Sequence, residues 1–263
     1  MRLELHDVAI GEGPGAALPA LSVVADRWAP GFVAVETENA PTLAALVAGG
    51  RMHPESGRVT VDGRSDDAAI RASFALVDTP SVAEPFAALT VVQVAREELA
   101  LAGLRSDKAS ARLLLDEIGL REHERTRLGS LPTELRVRLL CELAVLRPEV
   151  RGLVVTTPER HGGDVAAWLS VVHDLVGRDY TVLTITGFAA LATIESLPTP
   201  DFAPAAPAAP IETDAAGDSA IAPASDADAD ADADAETDAA PPASPDDTAV
   251  ATSPDTTVES DQP

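Results

Sequence analysis

Short runs of apolar and β-branched residues alternate along the first 200 residues with segments in which apolar positions recur at a helical period. The short runs predict β-strands at residues 2–8, 21–26, 32–36, 58–62, 73–77, 153–157 and 180–186. An amphipathic helix is predicted at residues 164–176, between the last two strands. Because strands that alternate with helices usually pair in parallel, the pattern predicts an α/β fold with a partly parallel sheet.

The middle of the chain has a different pattern, with helical periodicity and no strand-like run. Helices are predicted at residues 91–101, 108–118, 120–126 and 133–146. A stretch of helices between strands predicts a helical subdomain, at about residues 89–148, inserted into an α/β core. Five prolines from Pro198 to Pro210 end the periodic pattern, so we place the domain at residues 1–198.

Charge divides the chain in the same place. The sequence carries 19 basic and 43 acidic residues, a net charge of −24, and residues 201–263 hold 13 Asp and 3 Glu with no Lys or Arg. That segment also has nine prolines and one aromatic residue, so it lacks the apolar surface needed to offset chain entropy. Residues 199–263 are therefore predicted to form a disordered acidic tail, which is either a solvated spacer or an arm that recruits a partner.

Composition excludes several classes of function. The first 200 residues hold 27 acidic and 19 basic residues without a basic cluster, which argues against binding to nucleic acid. No apolar stretch reaches the roughly 20 residues of a membrane-spanning helix, and the N-terminus has no signal-peptide pattern, so a cytoplasmic protein is expected. The one cysteine, Cys141, is predicted to be a buried thiol, and the five histidines show no metal-ligand spacing.

A series of short segments occurs in the order found in one known family. The segments are residues 3–5, 30–35, 42–49, 57–63, 89–91, 114–120, 131–138, 153–158 and 182–186. In this order they resemble the nucleotide-binding domain of ATP-binding cassette (ABC) transporters over nearly the whole predicted domain. The resemblance implies an ABC-ATPase-like P-loop NTPase core with an inserted helical subdomain. It also implies ATP and Mg²⁺ as the cofactors of the family.

The P-loop of that family is altered here. Its position is filled by Glu36, Thr37, Glu38, Asn39, Ala40, Pro41 and Thr42. A P-loop needs glycines, whose backbone N–H groups wrap the phosphates, and a lysine that balances the phosphate charge. This segment has neither, and the single lysine of the chain, Lys108, lies in the helical block. Glu36 and Glu38 would repel a triphosphate, and residues 39–42 are expected to be an ordinary helix start.

The other nucleotide motifs are altered as well. At the Walker B position, Thr156 and Thr157 replace the Asp that holds Mg²⁺ and the Glu that orients water in the family. Glu159, two residues further on, is the alternative base, and Gly187 stands at the switch-histidine position. The signature glycines are replaced by Leu131, Pro132, Thr133 and Glu134. No catalytic, cofactor-binding or metal-binding residue is therefore expected.

These changes predict a pseudo-ATPase, an ABC-type cassette domain that acts as a non-catalytic binding or assembly subunit of a membrane transport-like complex. Its expected partners are a membrane permease subunit, an intact ABC ATPase, or both, which would place it at the inner face of the membrane. The alternative is the ATP-binding half of an asymmetric ABC ATPase heterodimer whose partner supplies the catalytic residues. Such a half would be expected to keep either its P-loop or its signature, and both are altered here.

A proline-rich loop at residues 77–89 is the predicted partner-binding segment. In the resembled family, a helix of the membrane subunit docks in a groove near this position. The apolar residues Val82, Phe86 and Leu89 suit a contact with such a helix. The alternative is that Phe86 fills the protein's own core.

Overall fold

The computed structural model describes residues 1–36, 38–200 and 202. The predicted disorder of the tail falls almost entirely on residues outside this range. The strands are β1 (Arg2–Ile10), β2 (Leu18–Asp26), β3 (Gly31–Ala34), β4 (Ser56–Val61), β5 (Phe74–Val77), β6 (Gly152–Thr156) and β7 (Thr181–Thr186). The α-helices are α1 (Ala40–Ala48), α2 (Asp67–Ser73), α3 (Val91–Leu101), α4 (Lys108–Glu117), α5 (Thr133–Ala144), α6 (Val165–Gly177) and α7 (Phe188–Ser196).

The strands of the described chain form two sheets. β2, β1 and β4 pair in that order in an antiparallel sheet, and β3, β7, β6 and β5 pair in that order in a parallel sheet. In the parallel sheet, Val154 of β6 lies beside Leu183 of β7. The α/β fold with a partly parallel sheet, predicted from the alternation of strands and helices, is confirmed.

The central strands of the parallel sheet are buried on both faces, as expected for strands that helices cover. Every residue of β6 and β7 is buried. On one face Val155 belongs to the same hydrophobic cluster as Trp168 of α6, and on the other face Val154 belongs to a cluster with Ala44 of α1. The ends of these strands are therefore fixed by a packed core, which in turn positions the residues that follow them.

Between β5 and β6 the described chain contains three α-helices and no strand. The helix predicted at residues 120–126 is wrong, because only the short 3-10 turn Arg121–His123 forms there. The carbonyl of Glu124 instead accepts a hydrogen bond from the backbone N–H of Val92 at 3.1 Å. That N–H lies in the first turn of α3 and has no partner within its own helix, so the segment caps α3 rather than forming a helix.

The structure also contains two helices that the pattern did not indicate, α2 and α7. α2 is capped by Asp66, whose side chain accepts hydrogen bonds from two backbone N–H groups of the first turn.

Beyond α7, Phe202 packs against the core, with its ring centroid 5.4 Å from that of His173. The packed chain thus reaches past the boundary predicted at residue 198. Among the described residues, no helix has both the length and the apolar character needed to cross a membrane.

Candidate functional site

The four strands of the parallel sheet end at one edge, at Ala34, Val77, Thr156 and Thr186. Ligands of open parallel sheets bind outside the carboxyl ends of the strands, so this edge is the candidate site. The residues that follow these ends include the positions predicted for the P-loop, the Walker B carboxylates and the switch histidine. The structure brings these three positions together, because Glu36 of the first and Glu159, two residues beyond the second, both bind backbone amides at the third, Gly187–Phe188.

Two carboxylates bind the N-terminus of α7. Oε1 of Glu36 accepts a hydrogen bond from the backbone N–H of Phe188 at 2.6 Å, and Oε1 of Glu159 accepts one from the N–H of Gly187 at 2.6 Å. Amides at a helix N-terminus have no partner within the helix, and a negative group is favourable there. The position at which this helix could hold an anion is therefore occupied by the protein's own side chains.

Gly187 allows the carboxylate of Glu36 to approach this closely. A Cβ atom at this position would lie 3.0 Å from Oε1 of Glu36 and 3.5 Å from Oε1 of Glu159. Oε1 of Glu159, the alternative base predicted from the sequence, is engaged by the Gly187 amide, whereas its Oε2 is buried without a hydrogen-bond partner among the described residues. The switch position thus has a structural role that depends on the absence of a side chain.

The predicted P-loop position lies around the first turn of α1. Ala40 is the first residue of the helix, Pro41 lies in the first turn, and Asn39 precedes them without a capping side-chain hydrogen bond. Thr37 lies outside the described residues. A cavity of about 430 Å³ beside this turn is lined by Ala16, Ala17, Glu38, Asn39, Thr42 and Leu43. No basic residue is among these described lining residues, so nothing there balances the charge of a phosphate.

A group of charged side chains, with Asp78 and Arg136 buried at its centre, links the ends of β5 and β6 to α5. Arg136 donates two hydrogen bonds to Asp78, from Nε to Oδ2 at 2.9 Å and from Nη2 to Oδ1 at 2.6 Å. Nη2 of Arg160 lies 3.1 Å from Oδ1 of Asp78 and 3.0 Å from Oε1 of Glu84. Nε2 of His161 lies 2.8 Å from Oδ2 of Asp78. We call these five residues the ion cluster, in which two carboxylates balance two guanidinium groups.

Burial and charge set the protonation of the ion cluster. Asp78 and Arg136 are each 2% exposed. Burial acts to raise the pKa of Asp78, but the hydrogen bonds and charge of Arg136, with the charge of Arg160, together lower it below its ordinary value. Burial lowers the pKa of His161, a shift that Asp78 opposes and the two arginines reinforce. At pH 7, Asp78 is therefore ionised and His161 is neutral, so that its Nε2–H donates to Asp78.

The two threonines at the Walker B position have structural roles. The buried hydroxyl of Thr156 shares a hydrogen bond of 2.9 Å with the hydroxyl of Thr79. Thr157 adopts the left-handed conformation, with φ +44°, which is unfavourable for a β-branched residue. Nη1 of Arg160 holds this turn by donating to the carbonyl of Thr156 at 2.8 Å and to the hydroxyl of Thr157 at 3.2 Å. Neither residue offers a carboxylate to a metal ion.

One group of side chains within the described residues has metal-ligand geometry. The ligand atoms of Asp78, Glu84 and His161 lie within 4.8 Å of one another. A divalent cation there would lie beside Arg136 and Arg160, which already neutralise the two carboxylates, and it would break a buried ion pair. These residues therefore do not fit a metal ion, and the sheet edge as a whole does not fit ATP with Mg²⁺.

The predicted signature position forms the start of α5. It comprises Leu131, Pro132, Thr133 and Glu134. Pro132 precedes the helix and has no N–H to offer a phosphate, and Glu134 places a negative charge in the first turn. Both features disfavour the binding of a phosphate at this helix start. The hydroxyl of Thr133 donates to the carbonyl of His161 at 3.2 Å. The segment therefore ties α5 to the turn after β6, and Arg136 follows one turn later.

Two of the three predicted partner-binding residues are exposed. Phe86 is 79% exposed and Val82 is 49% exposed, whereas Leu89 packs against the core. Phe86 does not fill the core, so that alternative is wrong. Val82 also borders a groove of about 380 Å³, which we call the α3–α5 groove; its lining includes Arg51, Val82, Glu84, Glu97, Glu98, Leu101, Leu140 and Arg147.

The ion cluster is the part of this site that no sequence pattern indicates. Asp78 is 58 residues from Arg136 and 83 residues from His161, so no local motif joins them. One signal is nevertheless present in α5. Arg136 lies on the same face of the helix as the buried residues Thr133 and Leu140. A charged residue within a buried face indicates a buried partner of opposite charge.

Comparisons with known proteins bear on the fold. No family model matches this sequence, and no curated protein matches it. A solved structure of an ATP-binding subunit of an ABC transporter is similar, with a TM-score of 0.50 and 20% sequence identity, over 74% of this chain and 82% of that chain. At this identity the likeness shows the fold alone. The chain thus has a mixed α/β fold similar to that of an ABC ATPase, as expected from the resemblance, whereas the inserted helical subdomain stays a prediction.

Proposed function

We propose that this protein is a pseudo-ATPase, a domain of ABC-type fold that serves as a non-catalytic binding or assembly subunit of a membrane transport-like complex. The proposal rests on the hydrogen bonds and ion pairs among side chains at the carboxyl edge of the parallel sheet. Glu36 and Glu159 bind the amides of α7, and the ion cluster joins β5, β6 and α5. The groups that would have to meet a nucleotide are bonded to one another instead.

Binding of ATP at this edge would require extensive reorganisation. A triphosphate would meet the carboxylates of Glu36 and Glu38, and the only lysine, Lys108, is the first residue of α4. Each missing charge-assisted hydrogen bond costs about 1.5–3 kcal/mol, and displacing Glu159 from its amide adds to that cost. We therefore expect neither ATP nor Mg²⁺ to act as a cofactor.

The alternative is the ATP-binding half of an asymmetric ABC ATPase heterodimer. In that arrangement this chain would contribute its signature position to a nucleotide held mainly by the partner. The proline before α5 and Glu134 in its first turn argue against such a contribution. An intact ABC ATPase could still be a member of the same assembly without sharing a nucleotide with this chain.

The proposed partner-binding surface is the loop of residues 78–90 together with the α3–α5 groove. Phe86 and Val82 present apolar area that would gain from burial. On the α3 wall, burial raises the pKa of Glu98, an effect that Arg147 opposes and Glu97 strengthens. A basic side chain placed at Glu98 would offset that desolvation. We therefore expect the occupant to be a short amphipathic helix of a membrane permease subunit that carries apolar residues and a Lys or Arg.

Replacement of Phe86 by Ala tests this surface. Since the side chain is exposed, Phe86→Ala should leave the melting temperature unchanged, whereas co-purification with an integral membrane protein should be lost. Leu113→Ala is the matched control, because Leu113 is 70% exposed on α4, away from the loop in sequence. That variant should keep the partner. Loss of the partner in both variants, or no membrane partner for the wild type, would contradict this part of the proposal.

A further inference from the structure

The loop that carries Val82 and Phe86 is held by hydrogen bonds at the residue where it leaves β5. The side chain of Asp78 is held by Arg136, and its backbone carbonyl accepts a hydrogen bond from Nη1 of Arg160 at 2.6 Å. The carbonyl of Thr79 then accepts from the N–H of Val82 at 3.1 Å. The same Arg160 also reaches Glu84, with Nη2 3.0 Å from Oε1. One arginine therefore contacts the loop at two points on either side of Val82.

The second half of the loop is fastened to the segment before α5. The carbonyl of Ala87 accepts from the N–H of Gly129 at 2.9 Å, and the carbonyl of Leu89 accepts from the N–H of Leu128 at 2.8 Å. A Cβ atom at Gly129 would lie 3.1 Å from Cβ of Ala87, so glycine allows this close approach. Phe86 is thus exposed on a backbone that is hydrogen-bonded immediately after it.

Two residues of this loop have left-handed backbone conformations without being glycine. These are Asp78, with φ +55°, and Ser81, with φ +59°. Such conformations cost of order 1–3 kcal/mol each and persist only where the surrounding structure holds them. The contacts of Arg136 and Arg160 supply that support at Asp78, and the hydrogen bonds from the N–H groups of Val82 and Ala83 to the carbonyl of Thr79 close the turn around Ser81.

We propose that the ion cluster fixes this loop permanently, so that its partner-binding surface is formed without any nucleotide or metal. The inference rests on the proposed function for the identity of the surface, and on the contacts above for its rigidity. The charges of the two carboxylates and two guanidinium groups of the cluster balance, and the loop carbonyls of Asp78, Ala87 and Leu89 already accept hydrogen bonds from Arg160, Gly129 and Leu128. Such a surface is preorganised for its partner and does not report on a ligand at the sheet edge.

Hydrogen exchange of the isolated full chain tests the inference. In the wild type, the amides of Val82, Ala83, Gly129 and Leu128 should be protected, and millimolar Mg-ATP should not change their rates. Arg160→Met should speed exchange at Val82 and Ala83 by about tenfold or more and leave β1 unchanged. Arg125→Met is the control, because the Arg125 side chain is 88% exposed, and it should have no effect. Unprotected amides in the wild type, or protection that appears only with Mg-ATP, would overturn the proposal.

A milder variant covers the case in which Arg160→Met does not fold. Glu84→Gln removes the charge from one loop contact, at a side chain that is 35% exposed, and it should speed exchange at Val82 and Ala83 several-fold. Unchanged rates in this folded variant would count against the role of the cluster. Because exchange is measured without a partner, protected amides combined with failed co-purification would refute the proposed docking function and not the fixed loop.

Discussion

Removal of Arg136 should have a large effect on stability. The side chain is 2% exposed, and it donates to both carboxylate oxygens of Asp78 and to the carbonyl of Leu128 at 3.3 Å. Arg136→Leu would keep the apolar volume of α5 but would leave a buried carboxylate without its main partner. The Asp78 carboxylate would keep its contacts with Arg160 at 3.1 Å and His161 at 2.8 Å, so it would lose only part of its charge compensation.

Removing one partner of a buried ion pair lowers the free energy of unfolding by about 3–5 kcal/mol. Because Asp78 keeps its other partners, we expect a loss of about 3 kcal/mol for Arg136→Leu. For a domain of this size, each kcal/mol shifts the melting temperature by about 2–4 °C. The expected decrease is therefore about 6–12 °C. In the double variant Asp78→Asn with Arg136→Leu, part of the stability should return, because no uncompensated buried carboxylate remains.

Differential scanning calorimetry and denaturant titration of the wild type, both variants and an Arg125→Leu control would measure these values. Arg125 is exposed, so the control should lie within about 0.5 kcal/mol of the wild type. The reasoning would be refuted if Arg136→Leu were no less stable than the control. It would also be refuted if the double variant were less stable than Arg136→Leu.

Three further predictions follow from the buried groups. Burial lowers the pKa of His173, and burial together with the two arginines lowers the pKa of His161. Because the unfolded chain then binds protons more readily than the folded one, the free energy of unfolding should fall as the pH drops below about 6.5. Melting temperatures measured across this pH range should fall less in His161→Gln than in the wild type. Burial raises the pKa of the Cys141 thiol, which should resist iodoacetamide in the native state and react only on unfolding, as mass spectrometry would detect. A chain that ends after Phe202 should have the melting temperature of the full chain. A chain that ends after Pro198 loses the contact of Phe202 with His173, so its free energy of unfolding should be lower by about 1 kcal/mol. Equal melting temperatures of the two shortened chains would contradict this.

The sequence predicts the strands well because each leaves a local signal. β6 and β7 are continuous apolar and threonine runs, and burial on both faces is the physical cause of that composition. α2 has only seven residues, too few for a helical period to show, and its one local signal is the capping residue Asp66. The segment 120–126 carries helical periodicity, but its carbonyls cap α3, a contact that local propensity does not contain.

The candidate site is predictable only in part, for the same reason. The absence of a P-loop lysine is visible in the sequence, because Lys108 is the only lysine of the chain. The side-chain contacts at this edge of the sheet are not visible, because they join residues far apart in the sequence. Glu36 reaches Phe188 across 152 residues, and Asp78 reaches Arg136 across 58. A sequence pattern can thus show which residue types are missing from a segment, whereas the fold is needed to show which side chains lie together there.

The central claim is that this fold is complete and functional without nucleotide. Isothermal titration of the full chain with Mg-ATP, alongside Ala40→Lys, tests it most directly. We predict no saturable heat at millimolar nucleotide and no hydrolysis above background for either protein, since Glu36 and Glu159 occupy the amides of α7 and a single lysine cannot supply the missing phosphate-binding loop. A one-to-one isotherm with a micromolar dissociation constant for the wild type, or turnover in Ala40→Lys, would contradict it.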